Sequence, residues 1–513
     1  MDKKILIIGG GVSGLTSGIY GQKNGFETVI LERGEVSGGL CTGWSRFGHY
    51  IDGCIHWLIG TSRFSPFYAM WKELGAFNSD SDIYFQNNYA TFEYRGRTVT
   101  FWSDLKRTEE ELLAQFPLDS KEIKKFIKMV VTAINVPLPV ERSVNTMPFN
   151  QVVYTGWSLF PYIPFFLRTM RMSLSKYAKR FKDPSLRFAM KNLLPNDNSL
   201  YAALYSYGNI AFGNGGVPVK GSLQLAKNIE EKYLSLGGRL RLKSEVLEIL
   251  IDNQTAYGVR LVNGEIIYAD YIISSCDPEV TLKKLLNNQY ADRPIQKRYD
   301  SPGKNICPSC CLVSFAFDDK TARDLFGNSI RMFFDTSEFH CGNQTLSEID
   351  LRFYHYGDKF VRNDRVLVTS LVPLSNNDYD YWKDLSENKI EYKNTKNQLA
   401  HDLLDRIVVQ YPLLEGKIKI LDVSTPVTFN RYTDGHKGTY MPFTLNSKHG
   451  LLLHNGHVKG INNLYLSGQW TMTPGGLPMA AISGLFSVQR IMKREKFRSI
   501  FTNKKRHKYY SGI

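Results

Sequence analysis

Apolar and polar positions along this 513-residue chain change period several times, and each change marks an element. Ile5, Leu6, Ile7 and Ile8 form an unbroken apolar run, the pattern of a strand buried on both faces. The run breaks into glycines, and a helix is predicted over 15–24, then a second apolar strand over 28–31. Residues 61–205 read as mainly helical, with helical spacing over 109–116 and 121–134 and a β hairpin over 83–101 that turns at Gly96. An amphipathic helix over 223–236 is stopped by Gly237 and Gly238. Strands follow over 239–242, 246–251, 256–261, 265–268 and 271–274. Residues 300–425 mix strands (312–317, 329–334, 365–371) with a helix over 397–410, and the pattern closes with a strand over 464–466 and a helix over 479–492.

The first break carries chemistry. Gly9, Gly11 and Gly14 stand in GxGxxG spacing between a strand and a helix. The first allows the tight turn, the second lets a pyrophosphate reach the backbone, and the third lets the helix pack on the strand. The helix N-terminus attracts anions without a charged side chain. Glu32, eighteen residues beyond Gly14, ends the next strand where a carboxylate accepts from a ribose hydroxyl. Together these predict a dinucleotide site. A second glycine pair, Gly38 and Gly39, follows closely, then Gly48, Asp52, Gly53 and His56. Near the other end, the strand over 464–466 runs into Gly468, Gln469 and the Pro474, Gly475, Gly476 turn, again delivering a helix N-terminus to an electron-rich group.

These strings resemble the large group of FAD-binding oxidoreductases that includes amine oxidases and carotenoid desaturases. The 48–56 segment is similar to that of phytoene desaturases, and the 467–484 segment to that of phytoene desaturase, carotenoid isomerase and retinol saturase relatives. The resemblance implies FAD rather than NAD. It implies an α/β fold with a Rossmann-like, glutathione-reductase-like FAD-binding domain split over 1–60, 206–295 and 431–513. A helical, membrane-associated insertion (61–205) and a mixed α/β substrate domain (296–430) would interrupt it. Carried over residue by residue, the cofactor contacts fall on Gly9, Gly11, Val12, Ser13, Gly14, Glu32, Arg33, Gly38, Gly39, Leu40, His56, Val246, Ser275, Gly468, Gln469, Gly476, Leu477, Pro478 and Met479. Gln469 stands where the family carries an acid. The implied activity is desaturation, saturation or isomerisation at carbon–carbon double bonds of a long apolar substrate such as a carotenoid, retinoid or fatty-acid-like lipid, with the electron partner left open. His56 and Tyr432 are the candidate catalytic side chains, with Asp434 and His436 beside the second. The alternatives are an amine-oxidase-type flavoenzyme and a non-enzymatic flavin-bound membrane protein.

Charge adds a partner. The formal net charge is +15. A basic run from Arg168 to Lys191 follows an uncharged aromatic stretch, residues 143–167, that contains Trp157, Phe160, Phe165 and Phe166. Pro161 and Pro164 disqualify that stretch as a continuous spanning helix, and its composition predicts shallow insertion with basic residues at the headgroups. A second basic cluster runs from Lys493 to Lys508. No nucleic-acid motif accompanies the charge. The expected setting is the cytoplasm, peripheral on the inner face of the membrane. Seven scattered cysteines predict no disulfide framework, and Cys307, Cys310 and Cys311 lack a second pair with zinc spacing, so no metal is expected.

Overall fold

The computed structural model describes residues 3–79, 82–300, 307–375, 377–445 and 451–496. In chain order, the strands of its two main sheets are β1 (Lys4–Ile8), β2 (Glu27–Leu31), β3 (Asn88–Tyr94), β4 (Arg97–Trp102), β5 (Arg239–Arg241), β6 (Tyr271–Ser274), β7 (Ser309–Asp318), β8 (Arg331–Cys341), β9 (Gln344–Phe353), β10 (Arg365–Leu374), β11 (Ile418–Ser424) and β12 (Leu464–Leu466). The helices that matter to the site are α1 (Val12–Lys23), α2 (Phe149–Leu159), α3 (Ile163–Met170), α4 (Leu200–Ala211), α5 (Pro426–Thr433) and α6 (Leu477–Arg494).

The first sheet is all parallel, in the order β5-β2-β1-β6-β12. Its central strand is apolar throughout because both faces are covered: Ile5 and Ile7 pack in one core cluster, Leu6 and Ile8 in another. The second sheet runs β11-β7-β10-β9-β8-β3-β4, with a short strand, Val361–Arg362, paired to β10. It is antiparallel except where β8 meets β3, with Met332, Phe333 and Phe334 opposite Thr91, Phe92 and Glu93. The hairpin within 61–205 and the strands within 296–430 therefore form one sheet. Local periodicity cannot show that pairing, because the partners lie about 240 residues apart in the chain.

Several elements are longer than their sequence pattern. α1 starts at Val12, because Gly11 already takes the extended N-cap conformation. The helix expected over 397–410 begins at Lys389, where the Asn388 side chain accepts from the amides of Ile390 and Glu391. β8 runs on to Cys341, and β9 was not expected at all. The aromatic stretch 143–167 folds as two short helices, α2 and α3, joined through a 3-10 turn at Phe160–Tyr162. Among the described residues no helix is long and apolar enough to cross a membrane. All seven cysteines are free thiols. Of the second basic cluster, Arg498 and the cations from Lys504 onward lie outside the described residues.

Candidate functional site

A single cavity of about 1350 Å³ runs between the parallel sheet, the second sheet and helices α2 to α4. Two helix N-termini open into one end of it. At the first, a Cβ on Gly14 would sit 2.0 Å from the Gly9 carbonyl oxygen, so α1 can lie against the end of β1 only with glycine there. A Cβ on Gly11 would meet nothing closer than the Gly38 carbonyl at 4.0 Å, so its backbone faces open cavity. Glu32 accepts from the Gly10 and Gly34 amides, each at 2.7 Å. A carboxylate offers about four lone pairs, so both oxygens keep acceptor capacity for hydroxyls.

The second N-terminus is that of α6. Ser13 pairs with Ser483 and Ser17 with Ser487, at 3.2 and 3.3 Å. The contact advances four residues on each helix, so α1 and α6 run parallel and present the same, positive ends to the cavity. They approach closely because residue 484 is glycine: a Cβ there would lie 2.5 Å from the Ser13 carbonyl oxygen. Gln469 braces the turn before α6, with its Oε1 accepting from the Gly476 amide (3.0 Å) and its Nε2 donating to the Tyr440 carbonyl (3.3 Å). An acid at this position could make only the first of those bonds.

The second sheet supplies side chains instead. Arg331 on β8 stands directly opposite Arg352 on β9, and both are buried on the cavity wall. Arg331 forms a two-pronged pair with Asp350 (Nε to Oδ1 2.9 Å, Nη2 to Oδ2 3.0 Å) and donates through Nη1 to the Leu193 carbonyl at 3.2 Å. Arg352 donates to the His56 carbonyl at 2.8 Å. Burial first, and then Arg352 and Arg331, push the His56 imidazole well below its usual range, so it is neutral at physiological pH.

The family model for flavin containing amine oxidoreductases matches residues 12–492. The chain belongs to that family. Its cofactor is FAD, and the residues fit: two uncapped helix N-termini face the cavity, Gly11 leaves the backbone open, and Glu32 keeps acceptor capacity. Among relatives, the chain is 23% identical to a chloroplastic prolycopene isomerase of Daucus carota over 512 residues, covering 95% of this chain and 79% of that one. It is 24% identical to an all-trans-retinol 13,14-reductase of Rattus norvegicus over 546 residues, covering 96% and 86%. Among solved structures, a putrescine oxidase superposes with a TM-score of 0.60 at 14% identity over 96% of this chain and 99% of that one, which shows a shared fold.

Within this flavoprotein fold, every residue singled out from the sequence as a cofactor contact lines the cavity except Gly14, whose contact is with Gly9. His56 also lines it, beside Arg352. Tyr432 reaches the rim, but 67% of its surface is exposed, its ring stacked near Arg431. That place is not shielded from water as a proton-transfer residue over a flavin would be. Asp434 pairs with Lys284 (2.5 Å) and Arg33 (3.6 Å), and His436 bonds Glu279, so both are committed to structural contacts. Arg331, Asp350 and Arg352 did not stand out in the sequence. Asp350 and Arg352 alternate with Ile349, Leu351 and Phe353, the pattern of a half-exposed strand whose charged face points to solvent.

Proposed function

We propose that this FAD-dependent oxidoreductase acts on carbon–carbon double bonds of a long, apolar substrate. The observation that carries the reading is the cavity: beyond the two helix N-termini it extends between α2, α3 and α4, walled by Leu159, Ile163, Phe166 and Tyr201. That volume exceeds the roughly 300–1,000 Å³ of ordinary ligand pockets, as a site for both a dinucleotide and an extended apolar molecule requires. Names among the relatives, prolycopene isomerase and retinol reductase, support the same chemistry.

FAD, when bound, supplies the two-electron chemistry. The chain orients the substrate along the apolar wall, excludes water, and turns two helix-dipole ends toward the cavity, where they would favour the cofactor's negative charge. An amine substrate fits less well. On the second-sheet side the wall carries Arg331 and Arg352 against one carboxylate, Asp350, already paired to Arg331, and a cationic ligand there would meet that surplus.

The outer face of the same helical layer supports contact with a membrane. Phe149 and Trp157 on α2 are 83% and 75% exposed, Phe160 lies exposed in the turn after it, and Arg168 and Arg171 are exposed beside them. The other face of α2 and α3 lines the cavity, so an apolar substrate would pass from a bilayer into the site through one helical layer. A cytoplasmic enzyme peripheral on the inner membrane face follows from this reading.

The test is anaerobic incubation of the FAD-loaded protein with carotenoid, retinoid and unsaturated fatty-acid mixtures on anionic vesicles, reading flavin absorbance and product masses together. Products two hydrogens lighter, two heavier after added reductant, or isomeric support the reading. Turnover of amines alone overturns it. Equal recovery of protein with and without vesicles overturns the membrane part.

A further inference from the structure

We infer that Arg352 is the anchor for a carboxylate on the substrate, so that the natural ligand is an apolar carboxylic acid rather than a hydrocarbon or an alcohol. The inference rests on the reading of a long apolar substrate and names its polar end. Like charges directly opposite one another on adjacent strands repel, and Arg331 and Arg352 are such a pair. One carboxylate, Asp350, answers them, and both its oxygens go to Arg331. Arg331 is further satisfied by the Leu193 carbonyl. Arg352 is 5% exposed and, among the described residues, makes one hydrogen bond, to a neutral backbone carbonyl, and no ion pair. The buried carboxylates elsewhere on the wall are engaged by other donors: Asp52 accepts from the Ser222 hydroxyl and from the Ser222 and Cys54 amides, and Asp277 from the Tyr299 hydroxyl and the His436 and Glu279 amides.

A buried guanidinium with donors facing a cavity and no counter-ion is a site waiting for an anion. The planar fork of arginine matches a carboxylate with two parallel hydrogen bonds. A surplus of one positive charge balances one carboxylate, whereas a diphosphate would bring more negative charge than the wall answers. The apolar wall of α2 to α4 then receives the hydrocarbon chain.

The experiment uses FAD-loaded protein and two saturated twenty-carbon probes, icosanoic acid and icosanol, with binding read from perturbation of the oxidised flavin spectrum and from calorimetry. Neither probe holds a double bond, so binding is read apart from turnover. The acid is expected to bind about 10- to 100-fold tighter than the alcohol, the range for hydrogen bonds to a charged group. Arg352→Met should erase that preference while leaving alcohol binding unchanged, and Arg352→Lys should restore part of it. Because Met removes an unanswered buried charge, the ligand-free variant should also melt higher than the parent. Equal binding of acid and alcohol by the parent overturns the inference without any variant. So does an Arg352→Met change that shifts the flavin spectrum or potential but not acid affinity, which would assign the guanidinium to the cofactor. If acid preference holds but no double-bond chemistry is found, the proposed function fails and the anchor stands. If double-bond products form without acid preference, the reverse is true.

Discussion

The two walls of the cavity are built by opposite means. On the parallel-sheet side, the groups that face the cavity are chiefly backbone amides and helix ends, held in place by glycines at 11, 14 and 484. On the second-sheet side, they are long charged side chains, Arg331, Asp350 and Arg352, set on neighbouring strands. Backbone donors carry partial charges, which cost less to leave without a ligand than whole charges do. A buried whole charge left unanswered destabilises the fold. The first wall is therefore tolerant of vacancy and intolerant of bulk, whereas the second tolerates changes of shape and not of charge balance.

The largest effect should come from bulk on the first wall. Gly14→Val drives a side chain into the Gly9 carbonyl, and the purified protein is expected to be nearly colourless, with flavin per chain reduced at least tenfold while the second sheet remains folded. Absorbance at the flavin band against total protein checks this. On the second wall, Arg331→Met leaves the half-buried Asp350 without its partner and should cost about 3 kcal/mol in denaturant unfolding, whereas Arg331→Met with Asp350→Leu should recover most of it. A double variant no better than the single would break the comparison.

The parallel-sheet side also carries ionisable side chains, Glu32 and the cluster that follows β6. There Asp277 accepts from the Tyr299 hydroxyl and from the His436 and Glu279 amides. Burial, only partly offset by these donors, raises its carboxyl to about 6. The folded value lies above the unfolded one of about 3.9, so the protonated form stabilises the fold below pH 4 and that contribution is lost as pH rises through 6. Unfolding free energy of the parent relative to Asp277→Asn should fall by about 2 kcal/mol between pH 4 and pH 7. A flat difference would show that the donors, rather than burial, control the group. The smallest effect should come from Tyr432→Phe at the wet rim: turnover within about twofold of the parent, against the hundredfold or more that loss of a general acid or base costs.

The same contrast explains what the sequence made legible. Gly9, Gly11, Gly14 and Glu32 announce themselves because a backbone-made site needs particular residues at fixed local spacing. Gly484 was visible only as part of a glycine-rich string, and its role, admitting the Ser13 carbonyl, needed the packing of α1 on α6. Arg352 was not legible. Nothing within β9 distinguishes an inward arginine from an outward one, and β9 itself escaped notice because Thr345, Ser347, Glu348 and Asp350 dilute its apolar alternation. The partnership of β3 with β8 also has no local signature, since it joins residues 91–93 to 332–334.

The pairing of α1 with α6 also dictates when this protein can be finished. Ser13 and Ser17 find Ser483 and Ser487 nearly the whole chain later, and β12, at residues 464–466, closes the edge of the sheet whose centre is made from residues 4–8. A ribosome that has delivered the first half has made the glycine-rich turn but not the second helix end that faces it. Cofactor capture is thus a late event in biosynthesis, and until residue 494 emerges the apolar strand at residues 5–8 must be shielded by the nascent chain or by a chaperone.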